Sequence, residues 1–199
     1  MKVEFLHKNE ESKELILFFA GFASQASHFS HLRAQKNVLM AYDYRNFELE
    51  FDFSLYEKIT LIAFSMGVCV SSKLLKNLNF NAKIAINGTN FGIDEKRGIH
   101  PSIFLRTMRK FNLEDFKKAL LFEKALFEFR DELALKEELE SLYHFCGQDF
   151  NENFSWDRVY MSEGDLIFPN NALQNSYANL KPLKEPHFAF FAFDKWEQI

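Results

Sequence analysis

The sequence predicts an α/β fold: a mostly parallel central sheet with flanking helices and a helical insertion. Three observations predict it. Short apolar runs recur at 15–20, 37–44, 58–64, 83–87 and 158–161. The first four are near-continuous rather than alternating, as expected of parallel strands covered on both faces. Helical stretches separate several of them, which is the βαβ alternation of a doubly wound sheet.

Taken in order, residues 2–7 can add an antiparallel edge strand. The run 15–20 ends at Gly21-Phe22-Ala23, and the run 37–44 carries Asp43 near its end. The run 58–64 leads directly into Ser65 and then into residues 66–78, which read as an apolar helix. The run 83–87 ends in Asn87-Gly88-Thr89. From about 94 to 149 the alternation breaks, with almost no strand pattern and many helix formers. Phe116, Ala119, Leu120, Leu126 and Phe127 follow helical spacing there, with Glu123 the polar exception. This stretch is read as a lid laid over the sheet's carboxyl edge, against the alternative of ordinary crossover helices. The fifth run continues into Ser162-Glu163-Gly164-Asp165. His187, in "LKEPHFAFFAF", precedes what reads as a terminal apolar helix.

Composition bounds the function. The chain has 199 residues, 47% of them hydrophobic, which suits one compact domain spanning 1–199 with a substantial core. Its 25 phenylalanines fit either an aromatic-lined pocket or drift in base composition. A formal net charge of −4 argues against a nucleic-acid binder, which needs a basic surface to neutralise phosphates. No apolar run approaches the ~18 residues of a membrane span, and the N-terminus lacks a secretory apolar region. Cys69 and Cys146 are too few for a disulfide framework. A reduced, cytoplasmic, monomeric protein without metal or cofactor is expected. His28 and His31 have an i, i+3 spacing, but no third ligand accompanies them.

In open α/β sheets, sites form beyond the carboxyl ends of the strands. The polar residues collected from those ends include Ser65, Asp165 and His187, in the Ser…Asp…His order of α/β hydrolases. A serine hydroxyl is a poor nucleophile unless a base takes its proton. Imidazole is that base, and a carboxylate fixes its tautomer and stabilises the imidazolium. Each residue alone has a plainer reading: Ser65 as a helix cap, Asp165 as a turn residue, His187 as a surface residue. Their conjunction in order favours the triad. The serine elbow departs from Gly-x-Ser-x-Gly at Ala63 and keeps Gly67. The backbone N–H groups of Phe22 and Met66 are the expected oxyanion donors. Asp43 is a rival acid, although its place before the serine suggests that it ties down its loop. Cys69 is expected in the core, and nothing supports Cys146 as a nucleophile.

The segments "LILFFAGFASQASHFSHL", "VLMAYDYR", "LIAFSMGVCVS", "AINGTNFGIDEKRGIHPSIFLRTM" and "EPHFAFF" together resemble the BioG family, a branch of the α/β hydrolases. The resemblance spans nearly the whole chain, with the second and fourth segments its most specific parts. It implies a pimeloyl-acyl carrier protein methyl ester carboxylesterase of biotin synthesis, with nucleophile, acid and base at Ser65, Asp165 and His187. Relatives with tryptophan at positions 22 and 64 differ from this chain by an aromatic exchange. A thioesterase or short-chain esterase would use the same triad, and a non-catalytic acyl-binding protein would not need it. Lys96, Arg97, Arg106, Arg109, Lys110, Lys117, Lys118, Lys124 and Arg130 face only four acids between 96 and 130. Joined to the resemblance, this basic stretch implies docking of acidic acyl carrier protein, through Arg106, Arg109 and Lys110 above all.

Overall fold

Apolar side chains at consecutive positions of a strand point to opposite faces, and the central strands here are apolar on both. In the computed structural model, which describes residues 1–121, 127–147 and 153–199, they are accordingly covered on both sides. The strands are β1 (Lys2–His7), β2 (Glu14–Phe19), β3 (Asn37–Tyr42), β4 (Lys58–Phe64), β5 (Ala82–Ile86), β6 (Arg158–Ser162) and β7 (Lys181–Leu183). They form one seven-stranded sheet in the order β1-β3-β2-β4-β5-β6-β7. All neighbours are parallel except β1, which pairs antiparallel with β3, Lys2 opposite Tyr42.

Leu15, Leu17 and Phe19 of β2 face one core with Leu39, Leu61 and Val68, under helices α1 (Met66–Leu74) and α4 (Glu132–Cys146). Ile16 and Phe18 face the other, with Val38, Met40 and Ile62. That second face is closed by an aromatic cluster of Phe29, Phe188, Phe190 and Trp196, with the Phe18 and Phe29 rings 4.8 Å apart. Each large side chain buried in this way contributes roughly 1.5–3 kcal/mol.

Between β5 and β6 the chain forms α2 (Pro101–Arg109), α3 (Leu113–Leu121) and α4. His100 caps α2 by accepting the Ser102 N–H, with Pro101 in the first turn, where its missing donor costs nothing. Asp131 caps α4 by accepting the Ala134 N–H at 2.9 Å. Helix α4 packs against both α1 and α2. The periodic positions Glu123 and Leu126, together with Lys124, lie outside the described residues, and Phe127 is not in a helix. Helix α5 (Asn170–Ser176) follows β6.

Three expectations need correction, and one strand stands where none is expected. The helix after Ser65 ends at Leu74, not 78, because the polar Lys76-Asn77 stretch leaves it in a turn closed by Leu78 N–H on Leu75. Strand β3 stops at Tyr42, since Asp43 adopts φ 59° and turns the chain away. The terminal apolar helix is instead two 3₁₀ turns, Ala189–Ala192 and Trp196–Gln198. Strand β7, which carries Pro182, has no apolar run to mark it; an edge position tolerates the missing N–H.

Candidate functional site

Passing from the end of β4 into α1 within one residue requires an unusual backbone, and Ser65 supplies it at φ 55°, ψ −125°. Such a conformation costs about 1–3 kcal/mol and persists only where the surroundings impose it. They do so here by close approach. A Cβ on Gly67 would fall 2.4 Å from the carbonyl oxygens of Phe19 and Ala20, and one on Gly88 would fall 2.2 Å from the Ser65 oxygen. Ala63 fills the first elbow position as a buried residue of β4. The Ser65 N–H donates to Ile86 O at 2.9 Å. Its side chain caps no helix N–H, which removes the plainer reading of that residue.

The hydroxyl faces a histidine instead. Ser65 Oγ lies 2.9 Å from His187 Nε2, and His187 Nδ1 lies 2.6 Å from Asp165 Oδ2. The other carboxylate oxygen, Oδ1, accepts the N–H groups of Ile167 and Phe168, both at 2.8 Å. The Asp165 side chain is fully buried and that of His187 nearly so. Asn87, at φ 49° beyond β5, holds the histidine from behind. Its Nδ2 donates to His187 O and to Ser162 Oγ, each at 2.8 Å, and its Oδ1 accepts Ser162 N–H at 2.7 Å. Such an array can move a proton from a hydroxyl to an imidazole whose charge a carboxylate then balances.

Phe22 and Met66 lie beside Ser65 and line the same cavity. Among the described residues, neither amide donates to a protein acceptor. The cavity, about 380 Å³, is aromatic on several sides through Phe22, Phe64, Phe104, Phe111 and Phe116. Part of the phenylalanine excess therefore does line a pocket, and the aromatic cluster on the second core face takes up another part. Arg106 and Lys110 reach the cavity from α2 and its end, while Arg109 is exposed beyond the lining. None of these three cations forms an ion pair among the described residues.

The rival candidates are engaged elsewhere. Asp43 binds Arg45 through both oxygens, at 2.8 and 2.9 Å, and pairs with Arg130 at 2.6 Å. Burial alone would raise its pKa, but the Arg45 hydrogen bonds and the charges of Arg130, Arg45 and Lys2 hold it below the usual carboxylate range. His28 stacks on Phe127 with ring centroids 4.2 Å apart and meets Glu128 O at 2.7 Å, while His31 meets Phe190 O at 3.2 Å. Cys69 is in the core as expected, and Cys146 is buried beside it, with burial pushing its thiol pKa up. Two buried residues near the site had no assigned role in the sequence. Asn87 was legible only as a polar residue at a strand end, and Glu138 carried no signal within its acidic helix.

The family model described as "Pimeloyl-ACP methyl esterase BioG" matches residues 1–199. The chain belongs to the BioG family. It is similar to the crystal structure of BioG from Haemophilus influenzae, with a TM-score of 0.92 and 28% identity over 100% of this chain and 99% of that one. A malonyl-[acyl-carrier protein] O-methyltransferase of Bacteroides fragilis is 38% identical over 177 residues, or 79% of this chain. The chain spans only 35% of that protein's length. A lipase-esterase related protein from Clostridium acetobutylicum shares the fold, at TM-score 0.58 and 13% identity over 96% of this chain and 94% of its own. Family membership and the shared fold make this chain an α/β hydrolase.

Proposed function

We propose that this chain hydrolyses the methyl ester of pimeloyl-acyl carrier protein, releasing methanol and the free acid and leaving the carrier thioester intact, as a step of biotin synthesis. The observation that carries the reading is the Ser65–His187–Asp165 hydrogen-bond chain at the wall of an apolar cavity, in a member of a methyl esterase family. Ser65 Oγ attacks the ester carbonyl while His187 Nε2 takes its proton, and the Phe22 and Met66 amides receive the oxyanion. His187 returns the proton to the departing methoxide, giving methanol and an acyl-Ser65 ester. Water, activated by the same imidazole, then adds to that ester and restores Ser65 with release of the acid.

The similarity to a malonyl-carrier methyltransferase supports the choice of ester, because a methylated carboxyl on a carrier-bound acyl chain later needs demethylation. The acyl chain enters the aromatic cavity, whose volume falls in the range of about 300–1,000 Å³ usual for small-molecule sites. The described residues of segment 94–149 serve as the lid of a single domain, and Arg106, Arg109 and Lys110 attract the acidic carrier to its mouth. No helix among the described residues is long and apolar enough to cross a membrane, and we place the enzyme in the cytoplasm as a monomer. Methanol release from pimeloyl-carrier methyl ester tests the reading, together with separate labelling of Ser65 by a fluorophosphonate, which should abolish that release. A thioesterase would release free carrier thiol instead, and a mere acyl binder would release neither product.

A further inference from the structure

The lid helix α4 contributes one carboxylate to the loop beside the nucleophile, although it lies far from that loop in sequence. Glu138 is completely buried. Its Oε2 accepts the N–H of Ala23 at 3.2 Å, and its Oε1 accepts the N–H of Tyr44 at 3.0 Å. Arg130 donates to the same Oε2 and, through its other terminal nitrogen, pairs with Asp43 at 2.6 Å. The two loops held in this way follow β2 and β3, and both are bent at left-handed residues: Ala23 at φ 64° and Asp43 at φ 59°. Tyr44 adds a second tie, its hydroxyl donating to Ala20 O at 2.7 Å. The segment Gly21-Phe22-Ala23 is therefore anchored at both ends, by Tyr44 on Ala20 and by Glu138 on Ala23.

A buried carboxylate needs donors for its charge, and the arrangement supplies a guanidinium and two backbone amides. The strained alanine needs something to hold it, and a left-handed, non-glycine residue relaxes when its partner leaves. Both needs meet at one atom, Oε2, one residue away from Phe22. Resting on the esterase reading above, we propose that Glu138 is a positioning residue: by clamping Ala23 and Tyr44 it keeps the Phe22 amide directed at the oxyanion that forms on the Ser65 adduct. The lid helix and the oxyanion loop then form one unit, so that docking at the lid and chemistry at Ser65 share a rigid link.

The test is Glu138→Gln, which keeps the volume and one acceptor oxygen but replaces the other with donors facing Arg130 and the loop amides. Rates on a small soluble ester are normalised to the sites titrated by a fluorophosphonate, so that only folded, reactive enzyme is counted. Since misplacement by about 1 Å can cost on the order of 10²-fold, kcat should fall between ~10-fold and ~10²-fold with KM nearly unmoved. Binding of an alkyl trifluoromethyl ketone, whose tetrahedral adduct carries the oxyanion, should weaken by the same factor. Glu138→Asp keeps the charge but not the reach, and it should show the same split, serving as the second variant if the glutamine form does not fold. A lowered melting temperature with wild-type kcat per titrated site and unchanged ketone affinity would overturn the proposal, leaving Glu138 a purely structural tie. Failure of the wild type to label at Ser65 would instead overturn the esterase reading itself.

Discussion

Asp165 Oδ2 stands 2.6 Å from His187 Nδ1, 22 residues away along the chain, and its other oxygen is already committed to the N–H groups of Ile167 and Phe168. The carboxylate therefore has one direction left, toward the imidazole. That geometry keeps the proton on Nδ1 and leaves Nε2 to accept from Ser65.

Asp165→Asn should keep this shape while removing the charge. An amide can present its N–H₂ to Nδ1 and favour the wrong tautomer, so kcat should fall by on the order of 10⁴. Steady-state kinetics on a small ester would check this. Activity close to wild type, with Asp43→Asn inactive instead, would transfer the acid role to Asp43.

Ser65→Ala should abolish turnover and leave the melting temperature nearly unchanged, because the hydroxyl is the only group lost and it caps no helix. The backbone at φ 55° is imposed by its close neighbours and should be kept by alanine. Triad knockouts cost many powers of ten, so a variant retaining more than roughly a tenth of the wild-type rate would exclude Ser65 as nucleophile.

The strands carrying the site were legible because apolar runs on both faces leave few other folds available. Ser65 and its elbow stood out because a hydroxyl in an apolar junction has few plain explanations. The ends of elements were harder to read. Ala23 turns the chain at positive φ although alanine usually avoids it, while Asp43 and Asn87 do so with side chains that tolerate it better than most, so the turning residue itself is never a glycine at these three positions. Strand β7 has only three residues and contains Pro182, so its pairing comes from the β6 edge rather than from its own pattern. Glu138 looks like any solvated helix acid, since its burial depends on Arg130 and on two loops more than 90 residues upstream.

Asp43 makes acid stability predictable in sign. Its pKa in the folded protein lies below its ordinary value, held there against burial by Arg45, Arg130 and Lys2. The stabilisation is thus fully present above the unfolded value of about 3.9 and is lost as pH falls through the lower folded value. At neutral pH Asp43→Asn should lose about 1–3 kcal/mol, because two arginines keep only a neutral partner. The gap in melting temperature between wild type and variant should then narrow below about pH 4. Thermal scans across pH measure this, and parallel curves down to the lowest pH would remove Asp43 from the account of stability.

Charge reversal on α2 and at its end tests the proposed carrier docking separately from the chemistry. Reversing Arg106, Arg109 and Lys110 to glutamate should weaken processing of the carrier-bound ester and spare p-nitrophenyl acetate, which needs only the triad and the two amides. Wild-type rates on the carrier substrate should fall with added salt, since attraction between exposed charges is screened over about 8–10 Å. The variant should depend less on salt. Equal loss on both substrates would point to damage of the pocket, which Arg106 and Lys110 line, and no loss on either would leave the basic surface merely solvated.

Intact mass spectrometry of pimeloyl-carrier methyl ester after incubation with the enzyme tests the central claim most directly. Cleavage of the methyl ester should lower the carrier's mass by one methylene, with the acyl chain and its thioester retained, and Ser65→Ala should leave the substrate untouched. Recovery of carrier stripped of the whole acyl chain would contradict the account and make the chain a thioesterase.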